Sequence, residues 1–192
     1  MKPFYKAILL LTVCLIVLQF FQAELVFHRD KIELGQWYRL ITGNFVHSNY
    51  YHLALNLASL WIAGFLFSDS LKIKMLILNI FILSVCVGVG LYLFNPDLLK
   101  YYGFSGVLYG LYLVGATTIL LQKDYITGSL IYIFVTGKML WGFFMGEDAG
   151  TIELIGMAVA VHAHLYGVLG SLLISLSLFF MNNTNRKHTP PV

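Results

Sequence analysis

The chain has 192 residues, 59% of them hydrophobic and 11% charged, with a formal net charge of +3. Soluble domains carry about 25% charged residues, so composition excludes an ordinary soluble domain, and so small a positive balance is no footprint of nucleic-acid binding. Six stretches approach the roughly 20 apolar residues that a membrane span needs: 7–23, 50–68, 75–94, 104–121, 128–145 and 155–181. They fill most of the chain, so the expected architecture is an all-α membrane protein, one six-helix bundle forming a single domain over 1–192. The continuous apolar runs exclude a β-barrel, whose strands alternate.

No small-x-small cleavage site precedes Glu24, so the first apolar run reads as an uncleaved span rather than a signal peptide. The segment 24–46 is the longest predicted connection. It mixes His28, Arg29, Asp30 and Glu33 with Trp37, Tyr38 and Arg39, which suits either a membrane-interface loop or a structured support for a site. The second stretch opens on His47-Ser-Asn-Tyr-Tyr-His52-Leu-Ala-Leu-Asn56. His52 and Asn56 are four apart and share a helix face. Polar groups at that depth are expensive in lipid, so an inward role is expected of both, while His47 reads as an interfacial histidine.

The third stretch ends at Asn95-Pro96-Asp97, a turn signal. There follows Tyr102-Gly103-Phe104-Ser105-Gly106-Val107-Leu108-Tyr109-Gly110, a glycine-flanked serine where polar loop becomes apolar helix. Gly103 and Gly106 permit a tight turn and close helix approach, and Ser105 and Tyr109 fall near one face. Lys138 lies near the middle of the fifth stretch, where a paired or water-facing lysine is expected. Gly146–Gly150, with Glu147 and Asp148, reads as an acidic loop. In the sixth stretch His162 and His164 point about 200° apart on a helix. Gly167, one turn after His164, lets a neighbour come close there and favours His164 as the inward one. Residues 182–192 read as a polar tail. Cys14 and Cys86 offer neither a disulfide framework nor metal spacing.

Charges fix an expected orientation. Lys2, Lys6, Lys72, Lys74, Lys123, Arg186 and Lys187 fall on one side of a six-span arrangement, and most acidic residues on the other. The positive-inside rule then puts both termini in the cytoplasm. Counted at ~1.5 Å per residue from that side, Ser105 and His52 stand at about 26 Å, His164 at about 27 Å and Asn56 at about 20 Å. One layer thus holds a serine, a candidate base and candidate donors.

Ser105 as nucleophile needs a base, and His164 supplies one. The Asn56 amide, the His52 imidazole and the Ser105 N–H would meet the oxyanion. Tyr109 would stack on the His164 ring. Every Asp and Glu falls outside the spans or at their ends, so the reading is a Ser–His dyad, and aspartyl proteolysis is excluded. The zinc motif His-Glu-x-x-His is absent. A metal site on His47, His52, His162 and His164 stays open as an alternative.

The residues His47-x4-His52-x3-Asn56, Gly103-x-Ser105-Gly106 with Tyr109, Ala163-His164-x-x-Gly167, and Arg39 in Trp37-Tyr38-Arg39 resemble the rhomboid intramembrane serine proteases. The resemblance implies a rhomboid fold with Ser105 as nucleophile, His164 as base, and His52 and Asn56 in the oxyanion hole, without cofactor. Gly35–Leu40, Tyr101–Gly110, Lys138-x-x-Trp141 and Ala163–Gly167 are further similar to the rhombosortase branch; Gly142 departs from it, standing where the branch carries an acid. That branch implies a bacterial inner-membrane enzyme with its active site open to the periplasm. Its substrates would be exported proteins held in the lipid bilayer by a C-terminal Gly-Gly-type sorting helix. The alternatives are a general rhomboid protease acting on other single-span substrates, an inactive rhomboid-like protein and a metal-binding membrane protein.

Overall fold

Backbone polar groups in a bilayer core must be satisfied within their own segment, so the apolar stretches fold as helices. The computed structural model describes residues 2–146 and 149–187. In chain order the elements are α1 (Pro3–Gln19), α2 (Gln22–Leu25), β1 (Phe27–His28), α3 (Arg29–Glu33), α4 (Arg39–Thr42) and a 3-10 turn (Gly43–Phe45). They continue with α5 (Tyr50–Phe67), α6 (Ile73–Phe94), β2 (Lys100–Tyr101), α7 (Ser105–Leu121), α8 (Tyr125–Met145), α9 (Ala149–Ile155) and α10 (Val161–Lys187).

Local chemistry sets several starts. Pro3 opens α1, where its missing N–H costs nothing. The Asn49 side chain caps α5 by accepting from the His52 N–H (2.8 Å), and Asp124 caps α8 by accepting from the Thr127 N–H (3.1 Å). Among the described residues, α5, α6, α8 and Val161–Asn182 of α10 are long and apolar enough to cross a membrane. Helices α1 and α7 are apolar but have 17 residues each, the short end of the spanning range.

Helix α7 is the one the others surround. It packs on α5, α6, α8 and α10, and 11 of its 17 residues are buried. Against α10 the two backbones touch: a Cβ built on Gly110 would stand 2.5 Å from the Gly167 carbonyl oxygen, and one on Gly106 2.8 Å from that of Ala163. At the other end of the bundle, Lys2 Nζ meets Asp69 at 2.7 Å, which sets the start of α1 beside the α5–α6 turn.

The segment 24–46 is a structured element rather than a loose loop. β1 pairs antiparallel with β2, Phe27 opposite Tyr101 and His28 opposite Lys100. Arg39 is 3% exposed; it donates to the Val26 carbonyl (2.8 Å), the Ala23 carbonyl (3.3 Å) and Gln36 Oε1 (2.7 Å). Arg29 donates to the carbonyls of Leu91, Tyr92, Asn95 and Leu98, closing the open C-terminal end of α6 as a cation should.

Two expectations change. The run 155–181 is not one span: α9 ends at Ile155, Gly156 takes a left-handed φ of +70°, and α10 starts only at Val161. Glycine alone adopts that φ without strain, so the helix breaks there. The tail from 182 continues α10 as helix to Lys187, because a helix already nucleated extends through polar residues at little cost; 188–192 lie outside the described residues. Of the acidic loop, Glu147 and Asp148 lie outside them too.

Candidate active site

Gly103 has a φ of +116°, so the chain turns sharply before α7 begins. Its N–H donates to the Val46 carbonyl (2.8 Å), and the buried Tyr101 hydroxyl donates to its carbonyl (2.6 Å). These bonds hold the turn that delivers Ser105 as the first residue of α7. A Cβ on Gly103 would lie 2.7 Å from Cε1 and 2.8 Å from Nε2 of His52, so the imidazole rests directly on the turn.

Ser105 Oγ lies 2.9 Å from His164 Nε2. With the ring proton on Nδ1, the serine hydroxyl donates and Nε2 accepts, the arrangement a nucleophile and its base require. Tyr109 stacks on the His164 ring, centroids 4.2 Å apart and planes 19° apart, which fixes the ring plane. His164 is 5% exposed. Asn56 Nδ2 donates to the His52 carbonyl (2.9 Å), which spends one amide hydrogen and leaves the second. His52 Nδ1 meets Ser48 Oγ at 3.1 Å.

A cavity of about 640 Å³ takes in Ser105, His164, His52, Asn56, Tyr109 and Lys138. Helices α5 and α8 form facing walls, with Leu55 and Ile62 on one and Leu130 and Phe134 on the other. All four are exposed on the bare protein, so the cavity opens sideways between apolar edges. Lys138 is the one Lys, Arg, Asp or Glu on the described lining. Gly106 and Gly167 sit at the α7–α10 contact, and Arg39 braces the neighbouring segment rather than entering the cavity. His162 is exposed, edge-on to Phe143 at 5.6 Å, apart from Ser105. Among the described residues no three His, Cys, Asp or Glu side chains form a metal-binding group, so the four histidines do not converge.

A family model described as Rhomboid domain matches residues 34–180. The chain belongs to the rhomboid family. A Bacillus subtilis (strain 168) protein described as "Putative rhomboid protease YdcA" is 30% identical to it over 146 residues, 73% of this chain and 67% of that one. Rhomboid membership makes the chain a membrane protein and an intramembrane serine protease.

Sequence reasoning missed several groups that shape this rhomboid site. Gln19 Nε2 donates to the His47 carbonyl (2.9 Å) while its Oε1 accepts from the His47 N–H (2.8 Å), pinning the strand-like lead into α5. Ser48 and Asn49 tie that lead to α9: Ser48 Oγ donates to the Ile155 carbonyl (2.7 Å) and Asn49 Nδ2 to that of Leu154 (3.0 Å). Only the Asn49 cap carried a sequence signal, an Asx residue directly before an apolar helix.

His47 is fully buried, edge-on to His52 with ring centroids 5.1 Å apart, and not interfacial as its place in the sequence suggested. Burial, then the neighbouring His52, pushes its imidazole down to about 3. The unfolded ring takes a proton near pH ~6.5. Stability from His47 is therefore complete above that pH and declines as pH falls toward about 3. Thermal melts in detergent should show wild type losing stability over this window more steeply than His47→Asn, by up to ~1.4 kcal/mol per pH unit. Parallel curves would refute the buried neutral ring.

Proposed function

We propose that this rhomboid is a six-span protease with a Ser105–His164 dyad, cleaving exported proteins within a C-terminal Gly-Gly-type sorting helix. The observation that carries the dyad is the 2.9 Å Ser105–His164 contact, with Tyr109 stacked on the His164 ring, in the lining of a laterally open cavity. His164 Nε2 takes the Ser105 proton as Oγ attacks the scissile carbonyl. The oxyanion meets the Ser105 N–H, the free Asn56 amide hydrogen and His52 when its Nε2 carries a proton. His164 then protonates the leaving amine, and a water, deprotonated by the same ring, releases the acyl group from Ser105.

The six-span count rests on α1 and α7, whose 17 residues reach about 26 Å. The orientation rests on the basic residues at the end that holds Lys2, with both termini in the cytoplasm of a bacterial inner membrane and Ser105 toward the periplasm. A substrate helix would enter between α5 and α8, where glycines weaken it and expose a peptide bond. The substrate class follows the rhombosortase resemblance. The second reading, a general rhomboid protease of other single-span proteins, is favoured by the relative, which is described only as a rhomboid protease.

A fluorophosphonate probe tests the dyad. Labelling of wild type and His162→Ala, with none in Ser105→Ala or His164→Ala, is expected. Labelling that persists in Ser105→Ala would remove that serine from the mechanism. Cleavage of a single-span reporter lacking the glycines as fast as a Gly-Gly reporter would favour the second reading.

A further inference from the structure

The hydrogen-bond inventory around His52 leaves one proton arrangement. A serine hydroxyl owns a single hydrogen. The Ser48 hydrogen is spent on the Ile155 carbonyl, 2.7 Å away, because a carbonyl can only accept. The 3.1 Å contact between Ser48 Oγ and His52 Nδ1 is then a hydrogen bond only if Nδ1 carries the proton. A neutral ring has one N–H, so Nε2 is left as a bare lone pair. That nitrogen is the one resting on Gly103, two residues before the nucleophile. In this arrangement His52 cannot donate to an oxyanion.

We infer that Ser48 is a positioning residue that sets the His52 tautomer, holding Nε2 bare while the Ile155 carbonyl keeps the Ser48 proton. Consequently the α9 segment and the oxyanion hole are coupled. Ile155 at the end of α9, with Met157 and Val159 in the link that follows, lines the cavity that a substrate fills, so an incoming chain meets this part of the molecule. Displacing Ile155 frees the Ser48 hydroxyl, which rotates to donate to Nδ1. The ring then loses its Nδ1 proton to water and gains one at Nε2 from water, with no change in charge. Nε2–H now points at the serine turn. The hole is complete only when the cavity is occupied, which spares the idle enzyme a fully armed site.

The coupling rests on the proposed oxyanion role of His52, but the tautomer can be read without any reaction. The test is ¹⁵N NMR of histidine-labelled full-length protein in detergent at mildly alkaline pH, with His52→Gln identifying the His52 signals. Wild type and Ser48→Thr should show Nδ1 protonated. Ser48→Ala should shift the proton to Nε2, the tautomer a neutral histidine favours when nothing holds it, and should raise the rate of fluorophosphonate labelling by roughly tenfold, part of what one oxyanion donor is worth. An Nε2–H ring in wild type, or a tautomer unchanged in Ser48→Ala, would overturn the assignment. A changed tautomer with an unchanged or lower labelling rate would overturn the coupling. No labelling of wild type would sink the dyad reading itself and leave the tautomer result standing.

Discussion

Ser105→Ala and His164→Ala should each lower kcat/KM for a single-span reporter in liposomes by at least ~10³-fold, and the double variant should be no worse than either alone. A serine without its base is not activated, and a base without its serine has nothing to deprotonate, so the two losses do not add. The 2.9 Å contact makes this a sharp expectation. Losses that multiply would mean that the two side chains act in separate steps. Asn56→Ala should cost less, on the order of 10²-fold, because one donor is removed from a set. Both comparisons need purified protein with unchanged melting behaviour, so that folding is not mistaken for chemistry.

Gly167→Ala should be among the most damaging single methyls in the chain, and it acts on the helix carrying His164. The added Cβ would overlap the Gly106 carbonyl oxygen and stand 2.8 Å from its carbon and 3.4 Å from the Gly110 nitrogen. All three are backbone atoms, so no rotamer change relieves the clash, and α10 must back away from α7. Overpacking of this kind costs about 1–3 kcal/mol. His164 lies one turn earlier on the same face, and a shift of about 1 Å in a reacting pair costs roughly 10²-fold in rate. The control is Gly137→Ala on α8, where a new Cβ meets nothing within 4 Å and helix propensity should gain up to ~1 kcal/mol. A melting temperature for Gly167→Ala equal to wild type would show that the helices are not in backbone contact.

Helical periodicity and depth carried a good deal of this in advance. Counting residues from a common edge put Ser105, His164, His52 and Asn56 in one layer, and the glycine at i+3 chose His164 over His162. Those inferences work because a bilayer imposes one axis and one rise per residue on every span. What stayed hidden depends on side chains meeting distant backbone. Arg29 closes α6 from 62 to 69 residues away, Gln19 holds His47, and Ser48 reaches Ile155 across 107 residues. None of these leaves a period or a motif in the sequence. The break after Ile155 was hidden for a related reason: Gly156 sits in an apolar run, and glycine in such a run is as consistent with packing as with a left-handed turn.

The short central helix has an electrostatic consequence. α7 is five residues shorter than the 22-residue α6 beside it, about 8 Å of rise, and the chain spends residues 95–104 covering that difference before Ser105. The serine therefore opens a recess walled by its taller neighbours instead of standing at their rim. Mobile ions enter such a recess poorly, and screening there is weak compared with that between exposed charges. Charge forming on the scissile carbonyl is felt by its donors almost undiluted, so the chemical step should be nearly indifferent to ionic strength, even where salt alters how substrates reach the enzyme.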